Sequence, residues 1–261
     1  MGIEESNILI TNDDGIHSPA LEPLVNALSQ IGNVTVVTPE GEKSAASHSI
    51  TINKPLRITE VKNNGRLFGY AVSGTPIDCI KLGLGTILKK RPSLVVSGIN
   101  LGLNTGIYLK YSGTVCAAIE ATTDGIPSIA VSADISKGVD FGFPSEFIVQ
   151  LSRYVLENGL PDETFLNVNF PSCFRPDIKG IAITRHGNMR LKDSLVKRQD
   201  PRDNAYYWIK ADYSAIEGGD RQDYQAINEG KISITPIRFH SDLTNYEYLD
   251  SLDELENIVL A

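Results

Sequence analysis

The sequence predicts an α/β fold built on a mostly parallel sheet, and three observations carry that expectation. Short apolar or β-branched runs at 8–10, 34–37, 94–97 and 129–132 lack the strict alternation of half-exposed strands. Strands buried on both faces read this way. Stretches with apolar residues at helical spacing lie between several of them. Polar, glycine-bearing loops follow three of the runs, on the carboxyl edge where open α/β sheets bind ligands.

The first run ends in Asn12, Asp13, Asp14 and Gly15. Two touching carboxylates repel each other and resist desolvation, and a divalent cation between them relieves both costs. Gly15 permits a sharp turn after the pair. Ordinary Asp-Asp-Gly turn chemistry is the competing reading. Ser18 as N-cap and Pro19 at the first helical position open a helix carrying Leu21, Leu24, Val25 and Leu28, up to Gly32. Residues 34–37 then complete a parallel βαβ unit.

The loop at 39–49 is small, polar and hydroxyl-rich. Residues 50–61 alternate enough for one or two strands, and 70–72 lead into Ser73-Gly74-Thr75-Pro76-Ile77-Asp78. Thr75 as N-cap, Pro76 at the first position and Asp78 at the third start a helix that extends to about residue 88. After the strand at 94–97 come three glycines and two amides without charge, from Gly98 to Gly106. Ser112-Gly113-Thr114 then opens a helix of small residues. Free N–H groups, two hydroxyls and the positive dipole end converge there, which is anion-binding chemistry. Simple N-capping is the alternative.

Residues 145–158 form a helix with Phe147, Leu151, Tyr154 and Val155 on one face and Gly159 at its end. Strands follow at 165–170 and 178–184. The pattern then changes to charged and aromatic residues, with Tyr206-Tyr207-Trp208-Ile209 as one strand of an exposed hairpin. A short helix at 221–228, a strand at 231–237 and an amphipathic helix at 242–260, with Leu249, Leu252, Leu255 and Ile258, complete the chain.

The net charge of −8 gives no support for a nucleic-acid or anionic-membrane surface. No window approaches the roughly 20 apolar residues of a membrane span. An acidic N-terminal stretch, Met1-Gly2-Ile3-Glu4-Glu5, differs from a signal peptide. Cys79, Cys116 and Cys173 are odd in number and widely spaced, so they make neither a disulfide framework nor a zinc ligand set. A cytoplasmic location is expected.

Three polar clusters therefore meet on one sheet edge: Asn12-Asp13-Asp14, Ser44 with its neighbours, and residues 97–104. Two carboxylates, an amide oxygen and a hydroxyl suit Mg²⁺ or Mn²⁺ rather than zinc. Beside the anion-binding helix start they describe a metal-dependent phosphoryl-group enzyme.

Ile10-Thr11-Asn12-Asp13-Asp14-Gly15, Ser97-Gly98-Ile99-Asn100 with Gly102, Asn104 and Gly106, and Tyr111-Ser112-Gly113-Thr114-Val115 resemble the motifs of the survival protein SurE family. Ser73-Gly74-Thr75-Pro76-Ile77-Asp78-Cys79, Asn167-Val168-Asn169-Phe170-Pro171, Tyr207-Trp208-Ile209 and Ser233-Ile234-Thr235-Pro236 with Asp242 and Thr244 match as well, in the family's order. The resemblance implies a Rossmann-like three-layer core over residues 1–184. It implies that residues 185–261, the hairpin and C-terminal helix, form an oligomerisation extension, with exchanged elements, in a homodimer or homotetramer. The implied activity is a divalent-metal-dependent 5′(3′)-nucleotidase of the acid-phosphatase type, converting nucleoside monophosphates to nucleoside and phosphate through a metal-activated water. Carried over by motif, the metal ligands are Asp13, Asp14, Ser44 and Asn100, with one Mg²⁺ or Mn²⁺ per subunit. Asp13 and Asp14 are the expected catalytic residues. Asn12, Asn104, Ser112, Gly113 and Thr114 are the expected substrate contacts.

The chain departs from the family pattern at Glu42, in an asparagine-like position, at Ala45, where glycine is usual, and at Cys116, also a usual glycine. These departures bear on substrate preference and turnover. An aspartyl-nucleophile phosphatase typically carries Asp-x-Asp, whereas here the acids are adjacent. A catalytically silent nucleotide- or metal-binding module is the rival of another class, and it predicts a lost ligand.

Overall fold

The computed structural model describes residues 6–215 and 220–239. The helix expected at 242–260, with Asp242 and Thr244, lies outside them. Among the described residues nine strands form one sheet, in the order β3 (Ile58–Asn63), β4 (Arg66–Val72), β2 (Asn33–Pro39), β1 (Asn7–Thr11), β5 (Leu94–Leu101), β6 (Ser128–Ala133), β7 (Thr164–Phe170), β11 (Lys231–Arg238) and β8 (Gly180–Ile183). Its centre is parallel: β1 (Asn7–Thr11) lies between β2 (Asn33–Pro39) and β5 (Leu94–Leu101), followed by β6 (Ser128–Ala133) and β7 (Thr164–Phe170). On the far side β4 (Arg66–Val72) runs parallel to β2, and β3 (Ile58–Asn63) pairs with β4 antiparallel.

Helices cover both faces, which explains the uninterrupted apolar runs. α1 (Leu21–Leu28) and α4 (Gly142–Asn158) pack on one face; α2 (Pro76–Leu82) and α3 (Gly113–Thr123) pack on the other. Side chains alternate across a strand. Ile8 and Ile10 accordingly join Leu24, Leu28 and Ile148, whereas Leu9 joins Ile80, Ala117 and Ala121. This is the three-layer α/β arrangement.

Three elements differ from the sequence reading. α1 begins at Leu21 with Ala20 as an N-cap that offers no side-chain bond. Ser18 instead closes a turn, accepting the Ala20 N–H at 3.4 Å, so Pro19 precedes the helix. Residues 50–57 form no strand, since Thr51 and Ser49 are tied to Asp78 and Thr75. α2 keeps its capping box, Thr75 with Asp78, but after Leu82 it widens into a π turn, Gly83–Ile87.

Beyond residue 184 the chain divides. β9 (Met189–Gln199) and β10 (Ala205–Ala215) form a separate antiparallel hairpin. Leu195, Trp208 and Ile209 on it are exposed. α5 (Asp223–Asn228) and β11 (Lys231–Arg238) then return to the core. β11 inserts between β7, to which it is antiparallel, and β8 (Gly180–Ile183).

One ionic cluster ties the loop after β2 to α3. Glu120 bonds to Lys81, and its Oε2 lies 2.8 Å from His48 Nε2. The Cys116 thiol beside it and Glu120 push His48 up to about 9, while the His48 and Lys81 contacts hold Glu120 at about 2. Stabilisation through His48 is full below its ordinary 6.5 and is lost as pH rises through about 9. Stabilisation through Glu120 is full above its ordinary 4.5 and is lost as pH falls through about 2. Glu120→Gln is therefore expected to cost most stability between those ordinary values. Urea unfolding near pH 5.5 and near pH 10 checks this: an equal deficit at both would show that the charges are not its source.

Candidate active site

β1 delivers Asn12, Asp13 and Asp14 at the point where the strand order reverses, between β2 and β5. Such a reversal of strand order is the usual ligand position in open α/β sheets. The loop after β2 closes onto the same place. The Lys43 N–H donates to the Asp13 carbonyl at 2.7 Å, and the Ile16 N–H donates to the Pro39 carbonyl at 2.9 Å.

Asp13 is buried, with 4% of its surface exposed. Its Oδ1 accepts the Thr114 hydroxyl at 2.5 Å and its Oδ2 accepts the Thr114 N–H at 3.2 Å. Gly113 makes room for this contact: a Cβ there would lie 2.9 Å from Asp13 Cβ and 3.1 Å from Pro76 Cγ. The start of α3, read from the sequence as a phosphate anchor, thus holds an anion belonging to the protein itself. The positive end of the helix stabilises that carboxylate. Ser112 caps α3, its Oγ accepting the Val115 N–H at 3.1 Å.

Asp14 accepts the Leu101 N–H at 3.3 Å, which joins the loop after β1 to the end of β5. Burial, and then the neighbouring Asp13 charge, push Asp14 up to about 7. Burial also raises Asp13, against the Thr114 bonds that lower it. These are the two costs that adjacent carboxylates incur, and nothing in the described ion pairs offsets them.

The donor set decides what could relieve them. No group of three or more His, Cys, Asp and Glu side chains that could hold a metal occurs among the described residues. A cation at Asp13 and Asp14 would be completed by neutral oxygens. Asn100 donates through Nδ2 to the Gly102 carbonyl at 2.8 Å, leaving its amide oxygen available. Ser44, which is exposed, directly follows Lys43, and its Oγ donates to Glu42 Oε1 at 2.5 Å. Two carboxylates with amide and hydroxyl oxygens fit Mg²⁺ or Mn²⁺.

Two other sequence-singled residues have internal partners. Asn12, fully buried, closes its own turn: Nδ2 donates to the Gly15 carbonyl at 3.1 Å and Oδ1 accepts the Gly15 N–H at 3.0 Å. Asn104 donates through Nδ2 to Ser132 Oγ at 2.8 Å. Its backbone N–H donates to Asn169 Oδ1 at 2.7 Å, and its carbonyl accepts from Asn167 and Asn169 at 2.9 and 3.1 Å. Sequence reasoning assigned no role to Asn167 and Asn169. The signal was there, because amides two apart on a strand share a face, but their partner lies more than sixty residues away.

The sequence profile of the survival protein SurE family matches residues 8–193. The protein is 47% identical over 247 residues to a protein of Moorella thermoacetica named 5′-nucleotidase SurE, covering 94% of each chain. It is 46% identical over 244 residues to one of the same name from Pelobacter propionicus, covering 92% of this chain and 95% of that one. Among solved structures it resembles the SurE protein from Aquifex aeolicus, with a TM-score of 0.81 and 40% identity, covering 96% of this chain and 100% of that one. With both its fold and its sequence matched over most of its length, the chain belongs to the SurE survival protein family.

Proposed function

We propose that this protein is a divalent-metal-dependent 5′(3′)-nucleotidase that hydrolyses nucleoside monophosphates to nucleoside and phosphate. The observation that carries the reading is the adjacent Asp13–Asp14 pair at the sheet's switch point, Asp13 buried and Asp14 half-buried, with neutral oxygens at the end of β5 and on the loop after β2. Relatives named 5′-nucleotidase SurE, at 46% and 47% identity, support it. Asp13, Asp14, Asn100 and Ser44 would hold one Mg²⁺ or Mn²⁺ per subunit. Such an ion supplies Lewis-acid polarisation of a phosphoryl oxygen and lowers the pKa of water it binds.

The protein's own residues have distinct tasks. Thr114 and the α3 dipole orient Asp13 and favour its charged form against the burial that opposes it. Ser112, Gly113 and Thr114 would line the phosphate position beside Asp13, acting on it through the carboxylate that Thr114 holds, and Asn12 and Asn104 would shape the loops around it. Residues 1–184, together with β11, constitute the catalytic core. Within 185–261 the exposed hairpin and the C-terminal segment join subunits into a homodimer or homotetramer. Apolar residues on an isolated hairpin are the kind of surface that oligomers cover. No helix among the described residues is long and apolar enough to cross a membrane. The free cysteines Cys79, Cys116 and Cys173 suit the reducing cytoplasm we propose.

Phosphate release from a panel of nucleoside 5′- and 3′-monophosphates, with Mn²⁺, Mg²⁺ or chelator, tests the reading. Metal-dependent release supports it and ranks the substrates. Bound metal without release from any substrate would favour a silent binding module. Release indifferent to chelator would remove the metal from the reading.

The same protein should show a pH signature. Asp14 takes up its proton near pH 7 in the metal-free state, and a cation must displace that proton. Mn²⁺ affinity measured by titration calorimetry should level off above that pH. Below it, affinity should fall by about tenfold per unit. Affinity flat from about pH 5 to about pH 8 would exclude Asp14 as a ligand.

A further inference from the structure

Asp223, the first residue of α5, is fully buried and stands outside the chemistry proposed above. Its Oδ2 accepts the Gly106 N–H at 2.9 Å. Its Oδ1 accepts the Gly187 N–H at 3.1 Å and the Tyr224 N–H at 2.7 Å. Gly106 and Gly187 come from two different parts of the fold. Gly106 ends the loop after β5, which carries Asn104, and begins the 3₁₀ turn Gly106–Lys110 that leads into Ser112 and Thr114. Gly187 lies two residues before β9, at the root of the hairpin.

The fit at Gly187 is tight. A Cβ there would lie 2.4 Å from Asp223 Oδ1 and 2.6 Å from Tyr224 Cδ1. The same root is held to the start of α5 by two backbone bonds: the Arg185 N–H donates to the Arg221 carbonyl at 2.8 Å, and the Asp223 N–H donates to the Arg185 carbonyl at 3.0 Å. One carboxylate thus closes a clasp between the hairpin root and the end of the loop after β5. Burying a carboxylate is costly, and three N–H donors are what make it tolerable. Moving any one of them disturbs the others.

We propose that Asp223 is a positioning residue. It couples the seating of the β9–β10 hairpin to the geometry of the loop at 102–106 and, through the following turn, to the α3 start that holds Asp13. This rests on the nucleotidase reading. It adds that the hairpin, whose role in that reading is subunit contact, also tunes turnover from outside the site. Asn104 is pinned separately by Asn169, Asn167 and Ser132, so a loosened clasp acts mainly on the α3 side of the loop. Turnover should therefore suffer more than substrate binding.

Two variants address the clasp from opposite sides. Asp223→Asn keeps the shape but turns an N–H₂ toward a backbone N–H. Gly187→Ala pushes the carboxylate from the hairpin side without touching the loop. Each should lower kcat by about 10- to 100-fold, with KM changed by no more than about threefold, in protein that keeps its circular dichroism spectrum. Reduced melting temperature with unchanged kcat per folded molecule would show a merely structural role and overturn the proposal. Should a variant not fold, hydrogen exchange in the wild-type protein decides. Protection at Gly106, Gly187 and the first turn of α5 should rise and fall together. Free exchange at Gly187 beside a protected Gly106 overturns the coupling. Wild-type protein inactive on every nucleotide would instead count against the nucleotidase reading, and the exchange pattern would still judge the clasp.

Discussion

Asp13→Asn is expected to abolish metal-dependent phosphate release, lowering kcat/KM by roughly 10³-fold or more, about 4 kcal/mol of transition-state stabilisation. The substitution preserves volume, so the close approach of Gly113 to Cβ survives. What changes is charge and hydrogen-bond polarity. Asp13 accepts at both oxygens, from the hydroxyl and the N–H of Thr114. An amide can accept at only one of those positions. Placed the other way round, its N–H₂ faces the Thr114 N–H. The pair at 13–14 loses one of its two negative charges, and Asp14, no longer beside an anion, moves down from about 7. Metal-free Asp13→Asn is therefore expected to be at least as stable as the wild type, since like-charge repulsion has gone. Phosphate release, Mn²⁺ titration and thermal unfolding together check this. A variant that binds metal and turns over like the wild type would remove Asp13 from the site.

Thr114→Val should lower activity by about 10- to 100-fold, the usual cost of losing a group that orients a metal ligand. Valine matches threonine in shape and keeps the N–H contact at 3.2 Å, but it lacks the hydroxyl that reaches Asp13 Oδ1. Both Thr114 bonds favour the charged carboxylate and hold Asp13 lower than burial alone would. Removing one raises Asp13 further, so protons compete better with the cation. The acid limb of the pH–activity profile should then move to higher pH. Thr114→Ser retains the hydroxyl and should recover most of the activity. If Thr114→Ser is as impaired as Thr114→Val, the methyl packing of a fully buried residue, not the hydrogen bond, is what matters.

The departures at Glu42 and Cys116 acquire physical meaning in the structure. Glu42 accepts the Ser44 hydroxyl at 2.5 Å, so a third carboxylate adjoins the proposed ligands, and its charge contributes to raising Asp14. Cys116 sits beside His48 and helps to raise it, within the cluster that ties the loop after β2 to α3. The structure offers no corresponding account of Ala45 beyond its positive φ of 56°.

The layers, and the sheet edge proposed for the chemistry, were legible in the chain alone. Doubly buried strands leave unbroken apolar runs, helices leave a 3.6-residue period, and a parallel sheet brings the ends of its strands to one side; all three are local or statistical properties of the chain. The motifs at Asp13, Asn100 and Ser112 were legible for the same reason. Which residues face one another was settled by the packing of distant elements. Thr114 faces Asp13 across 101 residues, Asn104 meets Asn169 across 65, and Asp223 meets Gly106 across 117. It also decided that the anion at the start of α3 is Asp13's own carboxylate, that Asn12 closes its turn, and that β11 returns to the sheet beyond the hairpin. Hydrogen bonds between distant residues depend on the relative placement of whole elements, and that placement comes from packing, which leaves no periodic trace in the chain.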